Sequence, residues 1–142
     1  MDRLDHVKIV SPDPAAIDRF LREVLDIPEG WPIGSTPPDP APSGGALTME
    51  GVLDRRGGDA TASGFITGST QSRQFQVFRG ERPQIWAVAI GTRHLERAHE
   101  RCVERGIPCT EPSPTEWGDG TIRFFFAEVG GILFEVMRAE PR

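Results

Sequence analysis

The sequence predicts an α+β domain built twice over. Two βαβββ modules, residues 1–80 and 81–142, are expected to form one cupped mixed sheet with the helices on its outer face. Three observations predict this. Each half of the chain carries an amphipathic helix pattern of the same spacing. Each helix follows a short apolar strand. Each half ends on a similar strand, Phe75-Gln76-Val77-Phe78 in the first and Phe134-Glu135-Val136-Met137 in the second.

The first strand is Leu4–Val10, with His6, Lys8 and Val10 on one face and Val7 and Ile9 on the other. Ser11-Pro12-Asp13-Pro14 starts a helix, with Asp13 as N-cap and Pro14 at the first helical position. Ile17, Phe20, Leu21, Val24 and Leu25 give the helix one apolar face, and Pro28 ends it after Ile27. Glu29–Gly45 is a long Pro/Gly/Ser-rich loop that carries Trp31, a large apolar group that a solvent-only linker does not need. Ala46–Leu53 reads as a weak strand and Asp54–Ser63 as a Gly-rich turn. Gly64–Gly68 and Arg73–Arg79 complete the first half as strands.

The second half opens with a strand over Gln84–Ile90. Gln84, Trp86, Val88 and Ile90 share one face, and Ile85, Ala87 and Ala89 the other. A helix from Arg93 to Arg105 follows, with Thr92 as N-cap and Gly106 just past its end. Ile107–Thr110 is a short strand, and Glu111–Gly120 is a loop carrying Trp117. Arg123–Arg138 is a hairpin turned at Gly130-Gly131.

The helix faces align at a displacement of 78 residues, Ile17 onto Leu95. The same displacement sets His6 on Gln84 and Lys8 on Trp86. The helices would then cover the Val7/Ile9 and Ile85/Ala87/Ala89 faces, leaving the opposite faces to line a cavity. Four polar residues, His6, Gln76, Gln84 and Glu135, fall near the middle of apolar strands at repeat-related places. A polar group in such a place is costly unless it is satisfied, so the four point to one shared site.

Bulk properties narrow the partners. The net charge is −5 and the chain has no long basic run, so nucleic acid and anionic membranes are not expected. There is no apolar run long enough to span a bilayer. The start, MDRLDHVKIV, lacks a signal-peptide pattern, and the two cysteines, Cys102 and Cys109, make no disulfide framework. A cytoplasmic protein with a small-molecule ligand is expected.

The stretches LDHVKIVSPDPAAIDRFLREVLDIP, IWAVAIGTRHLERAHERCVERGIPC and FFFAEVGGILFEV resemble the vicinal oxygen chelate superfamily, which includes glyoxalase I, methylmalonyl-CoA epimerase, extradiol dioxygenases and bleomycin-binding proteins. The resemblance implies a homodimer and a cup holding a divalent metal, with Zn, Ni, Mn, Mg and Fe all open. By position it implies His6, Gln76, Gln84 and Glu135 as metal ligands. Gln84 departs from the family, which usually has His in that place. Counting back from His94-Leu95 without an insertion points instead to Ala87. The alternative is a metal-free cavity in which these side chains bond one another or a ligand.

Lys8, Trp86, Trp31 and Trp117 are the expected substrate-binding residues: Lys8 for an anionic group, the tryptophans as pocket walls or stacking surfaces. The ordinary reading of Lys8 is a lysine whose head reaches solvent. His99 lies on the apolar stripe of its helix and reads as a packed core residue, and Cys102 likewise. The resemblance implies two function classes. One is a divalent-metal-dependent lyase or isomerase acting on a substrate with vicinal oxygens, in which Glu135 is a ligand or moves a proton. The other is a metal-free protein that sequesters a planar ligand.

Overall fold

The computed structural model describes residues 2–28, 30–33, 47–56, 64–68, 73–112 and 123–138. In chain order the elements are β1 (Arg3–Ser11), α1 (Pro14–Arg19), β2 (Trp31–Ile33), α2 (Met49–Asp54), β3 (Gly64–Gly68), β4 (Arg73–Arg79), β5 (Gln84–Thr92), α3 (Leu95–Glu104), β6 (Phe124–Val129) and β7 (Ile132–Arg138). The α1 helix runs on into one π-helical turn, Phe20–Val24, so the helical stretch stops short of Ile27. Asp13 caps it, its Oδ1 accepting from the Ala16 N–H at 3.2 Å. Among the described residues no helix is long and apolar enough to cross a membrane.

The strands form one mixed sheet of seven in the order β2-β3-β4-β1-β5-β7-β6. At its centre β1 and β5 run antiparallel. Outside them lie two parallel pairs, β1 with β4 and β5 with β7. A parallel pair cannot be closed by a tight turn, so each needs a long crossover, and each crossover contains a helix. At the other extreme, β6 and β7 are joined by a two-residue turn. Gly130 (φ 59°) and Gly131 (φ 80°) both hold left-handed backbone there, which suits a primed hairpin turn.

The halves are offset by 81 residues rather than 78. Arg3 and Gln84 begin β1 and β5, and Pro14 and Leu95 begin α1 and α3. A helix face recurs every three to four residues, so the apolar stripes align almost equally well at either offset, whereas a strand does not tolerate the slip. The register also breaks between Lys8 and Ile9, where Lys8 pairs with Ala87 but Ile9 pairs with Ile85. Trp86 is the extra residue of this bulge. The face assignment of β5 therefore changes. Ala87 and Ala89 join Trp86, Phe78 and Val10 in the core of the concave face, whereas Ile85 is 69% exposed.

Ala46–Leu53 is the second correction: from Met49 this stretch is a helix. Thr48 Oγ1 accepts from the Gly51 N–H at 3.0 Å, and Met49 and Val52 point inward at helical spacing. The α2 side chains pack on the concave face, and the Trp86 indole N–H donates to the Val52 carbonyl at 2.9 Å. The third correction is Ile107–Thr110, which makes only a single bridge, Cys109 to Ala127, rather than a strand. The N-cap of α3 is His94 rather than Thr92, whose hydroxyl accepts from the His94 N–H at 3.1 Å. On the outer face α3 buries Leu95 against Phe125 and Ala127, with Cys102 at the edge. His99 packs edge-on to Phe125, ring centroids 5.2 Å apart.

Candidate functional site

The centre of the concave face is polar. Alternation along β1 sends His6, Lys8 and Val10 to that face, and all three are buried. Lys8 is in register with Gln76 on β4 and with Ala87 on β5. His6 pairs with Ala89, which in turn pairs with Glu135 on β7. Three strands thus deliver His6, Lys8, Gln76 and Glu135 to one point, each no more than 7% exposed.

The four side chains bond one another. Lys8 Nζ donates to Gln76 Oε1 at 2.5 Å and lies 3.4 Å from Glu135 Oε2. His6 Nε2 lies 3.1 Å from Gln76 Oε1 and 4.0 Å from Glu135 Oε1. The other ring nitrogen, Nδ1, meets the Asp5 carboxylate at 2.6 Å. Burial pushes the His6 pKa below its ordinary 6.5, helped by the Lys8 charge, and outweighs the Asp5 hydrogen bond that pulls the other way. His6 Nδ1 thus faces Asp5 and Nε2 faces Gln76 Oε1, while the Lys8 ammonium lies between the Gln76 and Glu135 side chains.

The aromatic wall belongs to the same site. Phe78 and Trp86 meet edge to face at 5.9 Å, and Phe126 leans on Trp86 at 5.6 Å. Lys8 Nζ is 5.8 and 5.7 Å from the Phe78 and Trp86 ring centroids, within cation–π range. The Arg56 guanidinium, at the end of α2, is nearer still to both rings, at 4.7 and 5.1 Å.

Of the residues expected from the sequence, His6, Lys8, Gln76, Glu135 and Trp86 come together. Gln84 does not join them. Its amide N–H groups donate to the Arg55 and Arg56 carbonyls at 2.7 and 3.1 Å and so close the C-terminal end of α2. With an offset of 81, the place equivalent to His6 is Ala87. Trp117 and the Trp31 side chain lie outside the described residues; the Trp31 backbone pairs with Ile66 in β2. Two residues were missed. Asp5 precedes His6 directly, and strict alternation assigns it to the other face. Arg56 gives no signal, because it falls in the stretch Asp54–Ser63 that reads as a Gly-rich turn, and only the α2 helix before it carries it to the aromatic wall.

A divalent ion is the group the resemblance implies, and these residues do not fit one as they stand. His6, Gln76 and Glu135 supply one imidazole, one neutral amide and one carboxylate, while the fourth place is a methyl group. Among the described residues no three His, Cys, Asp or Glu side chains group as a cage. A cation of the chain's own already bonds to two of the three donors.

Comparison with known proteins agrees with this architecture. The chain matches the model of the Glyoxalase/Bleomycin resistance protein/Dioxygenase superfamily over residues 3–136. Among solved structures, methylmalonyl-CoA epimerase from Streptomyces coelicolor, in complex with 2-nitronate-propionyl-CoA, superposes with a TM-score of 0.62 at 14% identity, covering 98% of each chain. A hypothetical protein from Bacillus halodurans gives a TM-score of 0.62 at 14% identity, over 99% of this chain and 96% of that one. Homoprotocatechuate 2,3-dioxygenase from Brevibacterium fuscum gives 0.61 at 14% identity, over 98% of this chain and 33% of that one. No curated protein sequence matches. The family match spans nearly the whole chain, and the sheet carries the paired halves: the chain belongs to the glyoxalase/bleomycin resistance protein/dioxygenase superfamily.

Proposed function

We propose that the protein takes a small molecule on the concave face of its sheet and moves a proton at a carbon next to a carbonyl or carboxylate, as an isomerase or lyase. The observation that carries this reading is the buried, oppositely charged pair Lys8 and Glu135, 3.4 Å apart at the centre of the sheet. A buried pair of this kind gains little net stability over apolar residues, so its presence in a cup is a mark of a site. The roles follow from the chemistry of each group. The Glu135 carboxylate takes the proton from carbon. The electron pair moves onto the carbonyl oxygen, and the Lys8 ammonium faces the charge that develops there. Gln76 holds Lys8 in place by accepting its hydrogen bond. Where the reacting carbon bears a hydroxyl, its proton passes to the other oxygen and Glu135 protonates the neighbouring carbon, giving the isomer; where the next carbon bears a leaving group, that group departs with its bonding electron pair and a double bond forms.

Similarity in fold lends support: some neighbours in fold are methylmalonyl-CoA epimerases solved with 2-nitronate-propionyl-CoA or methylmalonyl-CoA. The aromatic wall of Phe78, Trp86 and Phe126 favours a second reading, a protein that binds a planar ligand without converting it. A homodimer belongs to either reading, since Phe20, Val24 and Ile85 leave apolar surface exposed.

A screen of 2-oxo acids, 2-hydroxy acids and 2-substituted acyl thioesters by tryptophan fluorescence tests the site, and NMR in D2O of the best binder tests the chemistry. Deuterium should enter at the α-carbon with wild type and not with Glu135→Gln. Binding without exchange selects the sequestering protein. Binding that neither Lys8→Gln nor Glu135→Gln alters sinks both readings.

A further inference from the structure

We infer that Lys8 is the resident cation of the cup: its ammonium takes the position a divalent ion would need, so the site works without one. The inference rests on the proposed proton-transfer reading only for its consequence, not for its geometry.

Two departures point the same way. The first is the ammonium itself. Lys8 bonds to Gln76 Oε1 at 2.5 Å and lies 3.4 Å from Glu135 Oε2, and these two groups converge with His6 Nε2. Gln76 Oε1 faces both His6 Nε2, at 3.1 Å, and the Lys8 ammonium, so one amide oxygen joins the imidazole to the cation. The second departure is Ala87. The repeat places it where the first half has His6, and it is the direct cross-strand neighbour of Lys8. An imidazole at 87 would stand beside the lysine stem; a methyl group leaves the stem room to fold toward Gln76 and Glu135. The chain thus lacks one side-chain donor and carries one extra cation at adjacent places.

The faces of Phe78 and Trp86 complete the argument. Both lie within 6 Å of Nζ, where ring quadrupoles stabilise a fixed monovalent ammonium. Neither ring is a donor to a divalent ion.

Exchanging a metal for an ammonium changes what the site selects. A divalent ion offers adjacent coordination positions to two oxygens, whereas an ammonium offers single N–H bonds. Lys8 has already spent hydrogen-bonding capacity on Gln76. The favoured substrate is therefore one that presents a single carbonyl or carboxylate oxygen at this point, not a chelating diol or catechol.

The test is metal binding by the folded, full-length protein, read without reference to activity. Wild type, Lys8→Met, Lys8→Arg and Lys8→Met/Glu135→Gln are stripped with EDTA, then titrated with Ni²⁺ and Zn²⁺ and followed by calorimetry and thermal unfolding. Wild type and Lys8→Arg should bind no ion at the site and show no shift in Tm. Lys8→Met should gain a site, with Tm rising by roughly 9 °C at a hundredfold excess over Kd. The double variant should lose it again. A near-stoichiometric ion on wild type that Glu135→Gln abolishes overturns the inference. So does a folded Lys8→Met that gains no site. If Lys8→Met does not fold, the wild-type and Lys8→Arg titrations decide alone. Ligand binding and deuterium exchange in EDTA separate the two proposals. Exchange that requires added Ni²⁺ or Zn²⁺ and stops in EDTA upholds proton transfer and overturns the resident cation. A wild type that takes up no ion in the titrations and shows no exchange with any bound ligand upholds the resident cation and overturns proton transfer.

Discussion

Replacing Lys8 by Met and Glu135 by Gln, singly and together, measures what the central charge pair contributes. Both groups are at least nine-tenths buried, so solvent screening is small. At their separation of 3.4 Å the attraction is about 5 kcal/mol for an effective dielectric of ~20. Removing one partner forfeits that attraction and strands the other charge, which typically costs about 3–5 kcal/mol. Removing both forfeits the attraction but also the burden of burying two charges, and Met and Gln match the lost side chains in volume. Each single variant should therefore fall by about 3 kcal/mol or more, roughly 10 °C in Tm for a chain of this size. The double should fall by less than the sum of the two, with a coupling of about 3 kcal/mol. Urea unfolding at pH 7, with the slope checked for constancy, gives all four corners of the cycle. Costs that add to within about 0.5 kcal/mol would show that the two charges do not interact, and the reasoning about the site would fail with them.

The remaining predictions concern its surroundings. The depressed pKa of His6 means that the unfolded chain binds a proton more readily than the folded one below the ordinary value of 6.5. The stability this contributes is present above pH 6.5 and is lost as pH falls through the lower folded pKa. The unfolding free energy should therefore fall more steeply between pH 8 and pH 5 in wild type than in His6→Asn; equal pH dependence in the two would refute the assignment. Trp86→Phe keeps the aromatic wall but leaves the Val52 carbonyl without its indole donor, so unfolding should show a loss of about 1–3 kcal/mol and a looser α2 by hydrogen exchange. Phe125, fully buried under α3 on the opposite face, should cost about 3–5 kcal/mol when cut to Ala while leaving ligand affinity unchanged; a large change in affinity would mean the two faces are coupled.

The strands with regular alternation were legible in the sequence, because burial of one face imposes a period of two. Residues 3–11 and 132–138 follow that rule, whereas Gln76–Phe78 and Phe124–Ala127 are buried on both faces and read as strands from short, mostly apolar runs; the two consecutive glycines mark the hairpin turn. Helix α2 was not legible. Its six residues are too few for periodicity to separate a helix from a strand, and Leu47, Met49 and Val52 serve either pattern. What decides it is the Thr48 cap together with packing against Trp86, which only the folded chain reveals. The sheet register was lost in the same way. A bulge at Trp86 adds a residue to one strand without any Gly or Pro to announce it.

That bulge decides how much of the site can be read in advance. His6 and Glu135 lie where burial alternates along β1 and β7, Gln76 is in register with Lys8, and the structure gathers the three at one point. Gln84 lies beyond the bulge, and the same rule applied to it points to the wrong place: it ends as a support for α2 while Ala87 takes the central position. Lys8 was the harder residue. Its sequence context gives its face, but a lysine's ordinary behaviour is to carry its charge to water. What holds it inside is a set of partners from β4, β5 and β7: an amide oxygen, a carboxylate, two ring faces and the space beside an alanine. None is near it in sequence, and removing any one weakens the case for burying the charge. The electrostatic character of the cup is therefore a tertiary property. A single residue two places from His6 changes the cluster from an acceptor set awaiting a cation to one that already contains it.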